Sequence, residues 1–272
     1  MTDPAPVVVA TDLTARSDRP FDRALRIARE RECRLVVAHV VEEGRRAEMA
    51  RHADRARRTI GRLVADMDAR IDIRVEAGSP PEVLGRIAGE TEAAMVVVGA
   101  ARYNHLGDFF LGTAVDYLVR HAAMPVLVVK NRPLSAYDRI IATTDFSDRS
   151  RHALLTAAGL FPRIPISLVN AFQRPFPHRL DPEDSYELAK DMAQEGMTAL
   201  LGGPELAGLD HRIVAQVTEG PLADVVADMA EQADEPLVVI GSHGFGKLAQ
   251  VMLGSRASEL LQSLAQDTLV VR

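Results

Sequence analysis

The chain repeats itself. Val96-Val97-Val98-Gly99 lies 142 residues before Val238-Val239-Ile240-Gly241, and Leu111-Gly112-Thr113 lies the same distance before Leu253-Gly254-Ser255. Val126-Leu127-Val128-Val129 meets Thr268-Leu269-Val270-Val271, and Gly78-Ser79-Pro80 meets Gly220-Pro221-Leu222, again at 142. Near the start of each copy, Ala10-Thr11-Asp12-Leu13-Thr14 answers Thr143-Thr144-Asp145-Phe146-Ser147 at an offset of 133. The change of offset places a net insertion in the middle of the second copy, expected to include Gln173-Arg174-Pro175-Phe176-Pro177-His178, whose prolines suit a loop. A repeat this long constrains the chain to two copies of one small domain. The joint is expected near 131–137, where Asn131-Arg132-Pro133-Leu134-Ser135 breaks the apolar pattern, giving domains 1–132 and 137–272.

Within each copy, short apolar runs alternate with stretches whose apolar residues recur every three or four positions. Strands are expected at 7–10, 35–41, 71–76, 95–99 and 126–130, then at 140–143, 166–171, 213–218, 237–241 and 268–271. Helices are expected at 20–31, 47–67 and 80–91, then at 149–160, 182–201 and 222–232. Most of the runs are continuously apolar, as in strands buried on both faces. Such alternation implies α/β domains, each a doubly wound five-stranded parallel sheet flanked by helices. Ligands of such sheets bind beyond the carboxyl ends of the strands, near the switch in strand order. The Thr-Asp pairs and the glycine loops both follow strands, so they can converge there.

The glycine loop of the second copy follows Pro236-Leu237-Val238-Val239-Ile240 and reads Gly241-Ser242-His243-Gly244-Phe245-Gly246-Lys247-Leu248. Closely spaced glycines let backbone N–H groups approach an anion without Cβ interference. A turn used only for chain reversal is the plainer alternative. Gly241, Gly246 and Lys247 match a P-loop until its last position, which is Leu248 rather than Ser or Thr. Without that hydroxyl there is no Mg²⁺ ligand of the P-loop kind.

A second spacing fits without exception: Gly241, two residues, Gly244, nine residues, Gly254, Ser255. With the Thr-Asp motif and the repeat, the chain resembles a tandem universal stress protein from about Pro6 to Arg272, with an adenine nucleotide α-hydrolase-like fold. The resemblance implies that Gly241, Ser242, His243 and Gly244 wrap ribose and phosphates. Gly254 and Ser255 hold the phosphate end at a helix N-terminus, where unpaired donors and partial positive charge favour anions. Arg256 and Lys247 add charge, with a solvated side chain as the alternative for Lys247. Thr144-Asp145 lies beside the adenosine part, with capping of the following helix as the alternative role for Asp145, and Ala171 lies against adenine. His243 reads as a loop donor, since no carboxylate or second histidine lies near it in sequence to orient a base.

Copy one departs at one place: Gly99, two residues, then Arg102, nine residues, Gly112, Thr113. Arg102 either blocks a position that needs a glycine, leaving a degenerate site lined by Thr11, Asp12 and Val40, or brings a guanidinium to a phosphate. The resemblance implies an ATP-binding protein of the cytoplasmic stress response, with Mg²⁺ on the phosphates, that signals to an unknown protein partner through its conformation. A slow ATPase or nucleotide-transferring enzyme, and a scaffold without ligand, are the alternatives. It also implies a monomer whose strands 126–129 and 269–271 pair as in a dimer, or a homodimer.

Composition removes several classes. With 47% hydrophobic and 26% charged residues the chain can build sizeable cores. A net charge of −6, no Trp and 4% aromatics argue against nucleic-acid binding. The Arg-rich run from Arg45 to Arg58 is interspersed with Glu48 and Asp54 and reads as a solvated helix face. Cys33 is the only cysteine, so there is no intrachain disulfide, and no apolar run is long enough to cross a membrane.

Overall fold

The computed structural model describes residues 3–41, 44, 46–102, 109–110, 112–174, 181–241 and 255–272. It divides into two compact units, Met1–Ala136 with Arg272, and Tyr137–Val271.

The first unit runs β1 (Val7–Ala10), α1 (Asp18–Glu30), β2 (Leu35–Val41), α2 (Arg46–Val64), β3 (Ile71–Ala77), α3 (Pro80–Glu90) and β4 (Met95–Gly99). A short ribbon, β5 (Ala101–Arg102) with β6 (Phe109–Phe110), precedes α4 (Gly112–His121) and β7 (Val126–Val129). The second unit runs β8 (Arg139–Thr143), α5 (Asp148–Leu160), β9 (Ile166–Phe172), α6 (Pro182–Leu201), β10 (Ile213–Glu219), α7 (Leu222–Ala230), β11 (Pro236–Gly241), α8 (Ser255–Ser263) and β12 (Asp267–Val271).

In the first unit the strand order is β7-β4-β1-β2-β3, all parallel. In the second it is β10-β9-β8-β11-β12, again all parallel. The chain therefore leaves its first strand in one direction and returns to its other side, so the switch in strand order falls between β1 and β4, and between β8 and β11. Right-handed crossovers put the first two helices of each unit on one face and the last two on the other, and α3 meets α4 as α7 meets α8.

The apolar runs are central strands because both faces are covered. Val7, Val8, Val36, Val37, Val96 and Val97 have no exposed surface, nor do Ile140, Ile141 and Val238. β3 and β10 differ, being edge strands that are only partly buried along most of their length. Cys33, between α1 and β2, is buried, and burial pushes its thiol up.

The insertion in the second copy lies on both sides of α6. Val41 to Arg46 becomes Phe172 to Pro182 before the helix, and Val64 to Ile71 becomes Leu201 to Ile213 after it. The later part contains two 3₁₀ turns, Pro204–Leu206 and Asp210–Arg212. Arg212 fastens it by donating to the carbonyls of Ala158, Phe161 and Ile164 around the end of α5.

Tyr137 opens the second unit and donates through its hydroxyl to Asp267 Oδ2 at 2.8 Å, with both residues buried. Tyr137→Phe removes this buried hydrogen bond to a carboxylate. The expected cost is about 1–3 kcal/mol, seen as a lowered midpoint in urea unfolding of the full chain.

Candidate functional site

The second unit gathers chemistry at the carboxyl edge of its sheet. Thr144 and Asp145 leave β8, Ala171 lies near the end of β9, and Gly241 ends β11, on the three strands around the switch in strand order. The glycine loop begins from this edge and leads to α8.

The Thr-Asp turn is held by its own side chains. Thr144 Oγ1 accepts from Phe146 N at 2.9 Å and lies 3.0 Å from Ser150 Oγ on α5. Asp145 Oδ1 accepts from both the backbone N and the hydroxyl of Ser147, and Ser147 in turn caps α5 by accepting from Ser150 N. These turns hold Phe146 at φ +65°, a left-handed conformation that costs a non-glycine residue of the order of 1 kcal/mol. The true N-cap is Ser147, so Asp145 does not cap the helix directly. Its Oδ1 is committed to Ser147, and among the described residues nothing donates to Oδ2.

Asn170 completes the support. Its Nδ2 donates to the Thr144 carbonyl at 2.8 Å, while Thr144 N donates to the carbonyl of Val169. Gly241 is close-packed here: a Cβ on it would stand 3.4 Å from the Arg149 carbonyl oxygen and 3.5 Å from Ser150 N. These are ordinary van der Waals distances, and they place the end of β11 beside the first turn of α5.

A small cleft of about 80 Å³ opens beside Ala171, lined also by Gln173, Gly220, Pro221, Leu222, Ala223 and Leu260. Gly220 has φ +143°, which only glycine adopts freely, and its N–H donates to the Phe172 carbonyl. Its walls combine the apolar side chains of Ala171, Pro221, Leu222, Ala223 and Leu260 with backbone groups and the Gln173 amide, so that its exposed lining is more polar than apolar. The repeat of Gly78 at Gly220 was the sequence signal for this wall, although nothing in it announced a cleft. Gln173 and Leu260 carried no signal, because they arrive from opposite ends of the unit.

Ser255 and Arg256 form the first turn of α8. Ser242, His243, Gly244 and Gly254, with Lys247, lie outside the described residues.

The first unit keeps part of this architecture. Thr11 Oγ1 accepts from Leu13 N, and Leu13 has φ +61°. Asp12 Oδ1 accepts from Thr14 N, Thr14 Oγ1 and Ser17 Oγ. Burial pushes the Asp12 carboxyl up, but the hydrogen bonds from Ser17 and Thr14 outweigh it and leave it below its ordinary value. His39 stands where the second unit has Asn170, its Nδ1 2.8 Å from the Thr11 carbonyl, with Val40 following.

Beyond β4 the two copies part. Ala101 pairs with Phe110 and Arg102 with Phe109, antiparallel. Arg102 is therefore extended rather than in the left-handed conformation a glycine would be needed for, and the chain has built a ribbon there. Backbone groups of β5 are used within the ribbon, which removes donors a phosphate would require.

Comparison with known proteins agrees with this architecture. The universal stress protein family matches residues 5–130 and again residues 136–272. A universal stress protein of Mycolicibacterium smegmatis is 25% identical over 98% of this chain and 96% of its own length. The crystal structure of a functionally unknown protein from Pseudomonas aeruginosa PAO1 has a TM-score of 0.68 and 17% identity, covering 98% of this chain and 92% of that one. A universal stress protein crystallised in complex with cAMP is 27% identical over 47% of this chain and 98% of its own, at a TM-score of 0.37, and that ligand is a property of that protein. With both halves matched and the same α/β sheet order in each unit, the chain belongs to the universal stress protein family, carrying its domain twice.

Proposed function

We propose that the second unit binds ATP and that the bound state is passed to a protein partner through a change of conformation. The observation that supports this most is the grouping of Thr144, Asp145, Ala171 and Gly241 around the switch in strand order, with a small cleft beside Ala171 that Leu260 of α8 helps to line. Adenine would lie in the cleft beside Ala171, a ribose hydroxyl would donate to Asp145 Oδ2, and the phosphates would meet the loop of Ser242, His243 and Gly244. Gly254, Ser255 and Arg256 would meet their far end. Mg²⁺ would arrive on the phosphates.

Hydrolysis would be slow at most. Asp145 Oδ1 is tied to Ser147 and its Oδ2 is the oxygen assigned to the ribose, and the loop lacks the P-loop hydroxyl. The first unit would bind triphosphate weakly or not at all, since its loop has become a ribbon. We place the protein in the cytoplasm; no described helix is long and apolar enough to cross a membrane.

The test is calorimetric titration with ATP and Mg²⁺, after denaturing extraction has shown whether nucleotide is carried through purification. One site per chain is expected. Asp145→Ala should weaken that site about tenfold, the loss of one charge-assisted hydrogen bond at roughly 1.4 kcal/mol. No binding, with no carried nucleotide, would overturn the reading in favour of a scaffold.

A further inference from the structure

Helices α2 and α6 occupy the same place in the order of the two copies and carry opposite charge. α2 has six arginines against Glu48 and Asp54, while α6 has five carboxylates against Lys190. Nothing in the shared fold requires this, because both helices only need an apolar face toward the sheet.

The charges are arranged as stripes. Arg51, Arg55, Arg58 and Arg62 recur at steps of four, three and four, which places them on one line along the helix, and all four are exposed. None of the four makes an ion pair among the described residues; Arg57, off the line, is the one held by Asp54. On α6, Asp184, Glu187, Asp191 and Glu195 recur at steps of three, four and four, also on one exposed line. Of these, Glu187 has a partner, Lys190 at 3.7 Å. Each stripe rises about 16 Å from first charge to last, and each has exposed apolar side chains nearby: Leu63 on α2, Leu188 and Met192 on α6.

We propose that these stripes are the two sides of a contact between copies of this chain, the basic face of α2 on one molecule meeting the acidic face of α6 on another. Like charges at this spacing destabilise their own helix by about 0.2–0.5 kcal/mol per pair. Each helix therefore gains from a neighbour of opposite sign. The matching length and spacing, with apolar flanks on both sides, fit one to the other. A nucleic acid would satisfy α2 alone, against a net charge of −6, and would leave α6 unmatched.

The contact is weak and salt-sensitive. Exposed ion pairs contribute roughly 0–1 kcal/mol each, and one pair of helix faces is at the small end of specific interfaces. Because the two faces differ, the association is head-to-tail.

Sedimentation velocity of the full chain over a concentration series tests this, between about 20 and about 500 mM NaCl, across which the Debye length contracts severalfold. The weight-average mass is expected to be higher at low salt, with the increment lost at high salt. Arg55→Glu with Arg58→Glu should remove the increment, as should Glu187→Lys with Asp191→Lys, each lowering the association constant at least tenfold. Combining all four substitutions should restore it, a result that a general change in solubility or a misfolded variant does not give. No salt-dependent mass, or an increment that survives either reversal, overturns the proposal. So does failure of the combined variant to re-associate. Binding of a labelled RNA duplex that is lost in the arginine variant, without self-association of the parent chain, would assign the basic stripe to nucleic acid instead. None of these outcomes depends on nucleotide binding by the second unit.

Discussion

Gly244→Arg is expected to abolish ATP binding to the second unit while leaving its fold intact. The substitution imitates the first copy, where Arg102 takes the equivalent place after Gly99. There the chain does not strain a wrapped loop around the larger residue; it pairs Ala101–Arg102 with Phe109–Phe110. Backbone donors used in such pairing cannot also meet a phosphate. The side chain would in addition fill space that the loop is proposed to give to ribose and phosphate. A loss of at least 100-fold in affinity, about 2.7 kcal/mol, is expected in the calorimetric titration. The thermal midpoint without nucleotide should be unchanged, since the loop follows the buried strand β11 rather than belonging to it. Unchanged affinity would remove the loop from the site. The converse, Arg102→Gly, should strengthen binding at the first unit if the side chain alone excludes ligand, and leave one site per chain if the ribbon is independently stable.

Gly196→Ala is the second large effect, and its direction opposes simple helix propensity. Gly196 lies inside α6, where alanine would ordinarily gain close to 1 kcal/mol. Here a Cβ would fall 2.6 Å from Cδ2 and 2.7 Å from Cε2 of the Phe146 ring, and 3.0 Å from its Cγ. Phe146 cannot yield easily, because its backbone is fixed at φ +65° between Thr144 and Ser147, and it packs against the cluster of Phe172, Ala189 and Ala193. Overpacking of this kind costs about 1–3 kcal/mol. The observable consequence is a lower thermal midpoint together with weaker nucleotide binding, because Phe146 sits inside the Thr144–Ser147 turn that orients Asp145. A rise in midpoint would mean that the ring moves aside and that α6 does not brace the turn.

That coupling illustrates what a linear reading reaches. Central strands such as β2, β4 and β11 were legible as apolar runs because burial on both faces demands them, and their limits were expected to within a residue or two. The Thr-Asp turn was legible because a Thr and an Asp must stand next to the donors they accept from, at fixed short spacing. The end of α2 was expected later than Val64, since polar residues beyond it do not contradict a helix locally. The insertion was expected before α6, where prolines mark it, and the part after α6 was missed because Arg212 and the carbonyls it ties are far apart in sequence. Asn170 was passed over for the same reason, its partner being the Thr144 carbonyl one strand away.

The repeat, the alternation of apolar runs and the short-range turn chemistry by themselves determined that this chain makes two α/β units of the universal stress protein kind. They could do so because period, burial and local hydrogen bonding are properties of neighbouring residues. Only the tertiary structure decided that the first copy's loop closes into a ribbon and that Gly196 must leave room for Phe146. It alone brought Gln173, Gly220 and Leu260 to one cleft wall and left the stripes on α2 and α6 facing outward. Each of those depends on which distant segments fold against one another, and the energy of such contacts is set by shape and distance in space rather than by order along the chain.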